Sequence, residues 1–186
     1  MPVINGGDGP NQHPTQSLAD LYTLKTEKGR LGNLHIGIAG DLKYGRTVHS
    51  LISMLSLYEG CRFTLISHPD LRLDEKYKKA NMTETDSLAA ALPKLDALYV
   101  TRVQQERFSS AEEYTKVKDA FSLTPEMLKD APEDMIVMHP LPRTDEISSE
   151  VDALPQARYF EQAARGVFAR MALLSLMKPQ GPITAA

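Results

Sequence analysis

The sequence has one cysteine, Cys61. A lone thiol allows no internal disulfide and no cysteine-rich metal site. Placed after Gly60 at the start of an apolar run, it reads as a buried, inert side chain. Apolar runs are only a few residues long, far short of the ~20 that a membrane helix needs. The first residues, Met1 to Gly7, carry no basic region and no apolar core, so no secretory leader is read there. A dominant charge is also missing. Lys and Arg number 21 against 24 Asp and Glu, a net −3, which gives no basic surface for nucleic acid. The expectation is a soluble cytoplasmic protein with neither nucleic acid nor membrane as partner.

The rest of the composition is ordinary for a globular chain of 186 residues, enough for one large domain. The segment NGGDGPNQHP is rich in Gly, Asn, Pro and Asp and reads as a loop. Pro14 suits the first position of a helix that runs to about Lys28, where Gly29 supplies a stop. Short apolar strands are expected at 34–39, 62–67, 95–101 and 135–139, with a weaker one near 121–123. Helical spacing marks 47–58 and a long final helix from Tyr159 to Met177, with short helices at 74–79 and 85–92. Short apolar strands alternating with helices predict an α/β, Rossmann-like, doubly wound parallel sheet covered on both faces. Ligands of such sheets bind beyond the carboxyl ends of the strands, at a topological switch point.

Three of those strand ends are followed by arginine. Arg46 lies in Asp41-Leu42-Lys43-Tyr44-Gly45-Arg46, Arg102 in Arg102-Val103-Gln104, and Arg143 in Pro140-Leu141-Pro142-Arg143. A guanidinium fork holds carboxylates and phosphates bidentately. Three of them at one sheet edge, in a chain of negative net charge, point to a small ligand with more than one acidic group. His13 and Gln16 open the first helix, where unpaired N–H groups and the helix dipole favour anions. An imidazole there can donate to a carbonyl oxygen and stabilise charge that develops on it.

Other chemistries lack their motifs. Gly40 to Thr47 nearly spells a phosphate loop, but Arg46 stands where the lysine belongs. There is no GxGxxG after the first strand and no GxSxG. The five histidines show no metal-ligand spacing, so no metal and no cofactor is expected. What remains is direct transfer between two bound substrates, driven by positioning and electrostatics.

The segments NGGDGPNQHPTQSLADLYTL, GDLKYGRTVHSL, YVTRVQQERF, MHPLPRTDEI and YFEQAARGVFARMALLSL resemble aspartate carbamoyltransferase, in order and over nearly the whole chain. The absence of a cysteine in the HPLPR segment separates it from the ornithine relative. The resemblance implies carbamoyl transfer from carbamoyl phosphate to L-aspartate in pyrimidine biosynthesis, without a cofactor. By motif, His13 and Gln16 would contact carbamoyl phosphate, as would Leu141 and Pro142 beside Pro140. Arg46 and Arg102 would hold the aspartate carboxylates, with Gln104 assisting and Glu106 fixing Arg102. Glu113 would belong to a closing loop that Lys43 and Tyr44 meet. Family members form trimers. Their chains are about twice this length, and no Ser-Thr-Arg-Thr phosphate loop is present here. The expectation is therefore a single aspartate-binding domain over residues 1–178 with a flexible tail at 179–186. On that reading the carbamoyl-phosphate domain is absent and the chain is inactive without it. A non-catalytic dicarboxylate-binding or assembly module is the alternative.

Overall fold

The computed structural model describes residues 3–9, 11–103 and 121–177. Five parallel strands form one sheet: β1 (His35–Ala39), β2 (Arg62–Ile66), β3 (Met82–Thr85), β4 (Ala97–Val100) and β5 (Ile136–Met138). Their order across the sheet is β3-β2-β1-β4-β5. The chain thus winds outward from β1 in one direction, returns, and winds outward in the other through β4. That is the doubly wound arrangement expected from the sequence.

Period-two side chains assign each strand residue to a face. Ile36, Ile38, Phe63, Leu65, Ala97, Tyr99, Ile136 and Met138 point to one side. There they meet Leu21 and Leu24 of α1 (Pro14–Lys28) and Val48, Leu51, Ile52 and Leu55 of α2 (Arg46–Leu55). Ala39, Ile66, Leu98, Val100 and Val137 point to the other. That face is covered by α3 (Leu88–Ala91), α4 (Pro125–Leu128) and Tyr159 at the start of α5 (Tyr159–Leu176). Helix α1 begins at Pro14 and ends where Gly29 turns left-handed, φ 69°, with its N–H on the Lys25 carbonyl. Cys61 is buried and free, as its position suggested.

Several elements depart from expectation. Strand β3 was not foreseen: it lies at the sheet edge, its central Thr83 and Glu84 are exposed, and it has no apolar run to announce it. The weak strand at 121–123 shrinks to one bridge, Leu123 to Ile147. Helix α5 buries Tyr159, Gln162 and Gly166, whereas Phe160, Val167, Phe168, Met171, Leu174 and Leu176 are exposed. Its small and polar side faces α1, where Gly166 approaches Ala19. No helix among the described residues is long and apolar enough to cross a membrane.

Two constraints shape the carboxyl edge of the sheet. Gly40, directly after β1, has φ +116°, and a Cβ there would come within 2.2 Å of the Thr101 carbonyl oxygen after β4. Only glycine combines that backbone conformation with that approach. After β5, His139 is buried and its Nδ1 accepts the Leu141 N–H at 2.8 Å. The ring proton is therefore on Nε2, which donates to Glu146 Oε1 at 2.7 Å. Thr144 donates its N–H and hydroxyl to Glu146 Oε2. Leu141 is held in the left-handed region, φ 49°, before a cis bond to Pro142. Burial disfavours the Glu146 charge, yet the donors from His139, the backbone and Thr144 prevail and hold its carboxyl down to about 2.

Gly40→Ala is expected to lower unfolding free energy by on the order of 3 kcal/mol. Gly29→Ala, at φ +69° with nothing within 4 Å of an added Cβ, should cost only about 1 kcal/mol. Urea unfolding of both variants compares the two costs. For Glu146, the folded carboxyl titrates below its ordinary 4.5, so its contribution is complete above that pH and is lost as pH falls toward about 2. Its loss amounts to ~3 kcal/mol. Urea midpoints from pH 5 to 2 should fall more steeply for the parent than for Glu146→Gln; parallel slopes would refute the assignment.

Candidate active site

The switch point lies between β1 and β4, whose following loops diverge in opposite directions. A cleft of about 240 Å³ opens there, sized for a metabolite rather than a dinucleotide. Its floor is formed by Asp41, Thr101 and buried His139, and its walls carry Tyr44, Arg46 and Arg102. Pro140, Leu141 and Pro142 close one side.

Of the three arginines at strand ends, two face the cleft. Arg46 opens α2 and is half-buried; its Nη1 donates to the Gly9 carbonyl at 3.0 Å. Arg102 follows β4, is exposed, and has no carboxylate partner among the described residues. Arg143 does not serve the cleft. Both its terminal nitrogens engage Asp152, and Nη1 also reaches the Tyr159 hydroxyl. That pairing raises the Arg143 pKa and makes it a clamp between the loop after β5 and α5. The expectation of three arginines at one ligand site is corrected: two line the cleft.

His13 and Gln16 do not line the cleft itself but stand beside it. Ser50 of α2 draws the N-terminal loop in: its Oγ accepts the His13 N–H at 2.9 Å and donates to Gln12 Oε1 at 2.6 Å. Arg46 ties the same loop through Gly9. The His13 imidazole, half-buried, has its pKa lowered by desolvation and then by the charges of Arg46 and Arg170. A neutral ring can donate an N–H without bringing a further cation next to the arginines. Gln16 gives its amide Nε2 to Asp20 Oδ1 at 2.9 Å. Lys43 lies over the Tyr44 ring, 5.4 Å from its centroid, rather than in the cleft lining. Gln104, Glu106 and Glu113 fall outside the described residues.

Sequence reasoning missed His139 and Glu146, which set the conformation of Leu141, and Asp41, whose Oδ1 accepts the Tyr44 N–H at 2.9 Å. A histidine opening HPLP and a glutamate seven residues later were available signals, obscured because neither sits where a ligand contact is expected. Arg165, before Gly166, pairs with Glu27, which Arg158 also holds at 2.9 Å. Among the described residues no His, Cys, Asp or Glu cluster could hold a metal ion.

The family described as aspartate/ornithine carbamoyltransferase, Asp/Orn binding domain, matches residues 32–177. Its companion, the carbamoyl-P binding domain, matches residues 1–26. The expectation that nothing of the carbamoyl-phosphate domain is present is thus overturned. The search for it rested on the Ser-Thr-Arg-Thr loop, whereas the match lies in the N-terminal loop and α1. The expected inactivity of the chain rested on that absence and falls with it. The aspartate carbamoyltransferase catalytic subunit of Lachnoclostridium phytofermentans is 52% identical over 184 residues, covering 95% of this chain and 60% of that protein. The catalytic subunit of M. jannaschii aspartate transcarbamoylase superposes with a TM-score of 0.89 at 47% identity, covering 94% of this chain and 58% of the other. Aspartate transcarbamoylase from Trypanosoma cruzi, in complex with carbamoyl phosphate and aspartate, gives 0.85 at 37% identity, covering 93% and 57%. The chain spans about 60% of the length of the curated relatives it matches. On these matches the chain belongs to the aspartate carbamoyltransferase family.

Proposed function

We propose that the cleft takes L-aspartate and that the chain acts in carbamoyl transfer from carbamoyl phosphate, giving N-carbamoyl-L-aspartate and phosphate, in pyrimidine biosynthesis. The observation that carries this reading is the convergence of Arg46 and Arg102 on one small cleft at the switch point, opposite the Leu141 loop. Two guanidinium groups without carboxylate partners among the described residues match a dicarboxylate in charge and in number. The Trypanosoma cruzi relative was solved with both substrates of this reaction.

The chemistry follows from polarity. The aspartate amine attacks the carbamoyl carbon; the new N–C bond forms as the C–O bond to phosphate breaks, phosphate leaves with the electron pair, and an amine proton is released. Carbonyl oxygens of Pro140, Leu141 and Pro142 are acceptors for the amino groups of both reactants. His13, neutral because burial and nearby cations oppose its protonation, donates to the carbamoyl oxygen as negative charge grows there. Gln16 takes the other end of the carbamoyl group. The family resemblance gives Gln104 an assisting role at the aspartate and Glu106 the role of fixing Arg102. The trimers of the family support a homo-oligomer as the assembly we propose.

Steady-state assay of carbamoyl aspartate tests these roles. Arg46→Ala and Arg102→Ala should each raise the aspartate KM by ~10- to 1,000-fold, the range for truncating one side of a charged pair, with little change in the carbamoyl phosphate KM. His13→Ala should instead lower kcat by ~10²–10³-fold. Aspartate binding by calorimetry without any product formed would overturn the catalytic reading in favour of a dicarboxylate-binding module.

A further inference from the structure

Asp20 is a carboxylate with no exposed surface, in the middle of α1 and outside the cleft. Burial pushes it up to about 7 against the pull of Gln16, Gln162, Tyr99 and Arg170. Its Oδ2 lacks a well-formed hydrogen bond among the described residues, and the Tyr99 hydroxyl is the polar group beside it. A buried acid held at such expense is unexplained by packing, since an apolar residue of similar size would cost less.

Its other oxygen does something specific. Asp20 Oδ1 accepts from the side-chain amide of Gln16 at 2.9 Å and from that of Gln162 at 2.7 Å. Gln162, fully buried on α5, turns its Oε1 to the His139 N–H at 2.8 Å. His139 Nδ1 in turn accepts the Leu141 N–H. One oxygen therefore stands in a continuous chain from the first turn of α1 to the loop after β5.

We propose that Asp20 is a positioning residue for the carbamoyl site, its Oδ1 fixing which end of the Gln16 and Gln162 amides faces outward. An amide can present a donor or an acceptor; an oxygen that only accepts selects the NH2 end of both. For Gln162 this agrees with the His139 N–H, which can only donate and so requires the carbonyl end. For Gln16 the choice leaves Oε1 turned away from Asp20, as an acceptor for the carbamoyl NH2, while His13 donates to the carbamoyl oxygen. The carbamoyl group is then read at both ends. Protonation at Oδ2 leaves Oδ1 an acceptor and offers the new proton to Tyr99, so the amide polarity survives titration of the acid. Asparagine reproduces the arrangement with its oxygen at Oδ1; leucine abolishes it.

The kinetic consequence rests on the carbamoyl-transfer reading, whereas the structural one does not, so two measurements are paired on Asp20→Asn and Asp20→Leu in the full chain. Amide hydrogen exchange should show His139 and Leu141 opening at least tenfold faster in Asp20→Leu relative to core amides of β2, with Asp20→Asn within threefold of the parent. The carbamoyl phosphate KM should rise tenfold or more in Asp20→Leu, with the aspartate KM within twofold, and return in Asp20→Asn. Should Asp20→Leu not fold, NMR of the parent still decides: the Gln16 and Gln162 side-chain NH2 protons must be protected from exchange. Unprotected amides in the parent, unchanged exchange at His139 in Asp20→Leu, or an Asp20→Asn variant as impaired as Asp20→Leu would overturn the proposal. A parent that forms no product while its exchange pattern behaves as expected would remove the carbamoyl reading and keep the positioning role.

Discussion

Gly40 and Thr101 meet at the ends of neighbouring strands so closely that even one methyl group cannot stand between them. That approach determines what the carboxyl edge of the sheet can be. Strands β1 and β4 are adjacent but their chains leave in opposite directions, so the loops separate just above the contact and leave a crevice. Asp41, Thr101 and Arg102 reach the crevice because they follow closely on strands whose positions the buried core fixes, and Arg46 reaches it from the first position of α2. A looser contact between Gly40 and Thr101 would move both arginine-bearing loops at once. The spacing of the two chain segments that carry the arginines is thus set by a backbone contact.

Why two arginines are left facing the cleft is a matter of pairing. Arg143, Arg158 and Arg165 all find carboxylates within the fold: Asp152 for the first, Glu27 for the other two. Each joins α5 or the loop after β5 to another element. Arg46 and Arg102 find none among the described residues, and Arg46 contents itself with a main-chain carbonyl. The same side-chain type therefore divides into pairs within the fold and side chains left facing the cleft, by whether a carboxylate is supplied nearby.

This division was only partly legible in the sequence. Strands such as His35–Ala39 and Ala97–Val100 announce themselves because both faces are buried and, His35 apart, every residue is apolar or small. Met82–Thr85 gives no such signal, since an edge strand with exposed Thr83 and Glu84 looks like a loop. Pro14 and Gly29 bracket α1 by backbone chemistry alone, and both ends were readable. Arg143 misled because its position after a strand matches that of Arg102, while its partner Asp152 is contributed by a turn that no periodicity marks. Helix α5 misled in the opposite sense. Its extent was legible, but its buried side, the one carrying Gln162 and Gly166, is chosen by the polar chain to Asp20 and by the close packing on α1.

Two buried carboxylates show how local donor supply decides charge. Glu146 is met by the His139 ring and two donors from Thr144, which outweigh burial and hold it ionised to about 2. Asp20 is met by two amides on one oxygen, too few to outweigh complete burial, and rises to about 7. Both end on His139: Glu146 orients its ring, and Asp20 reaches its main-chain N–H through Gln162. The left-handed turn at Leu141 depends on that ring, because His139 Nδ1 is free to accept the Leu141 N–H only while the ring proton stays on Nε2. A loop with no regular secondary structure is in this way held from two directions by groups lying beneath it. That is what an acceptor-lined wall requires if it is to meet amino groups without rearranging first.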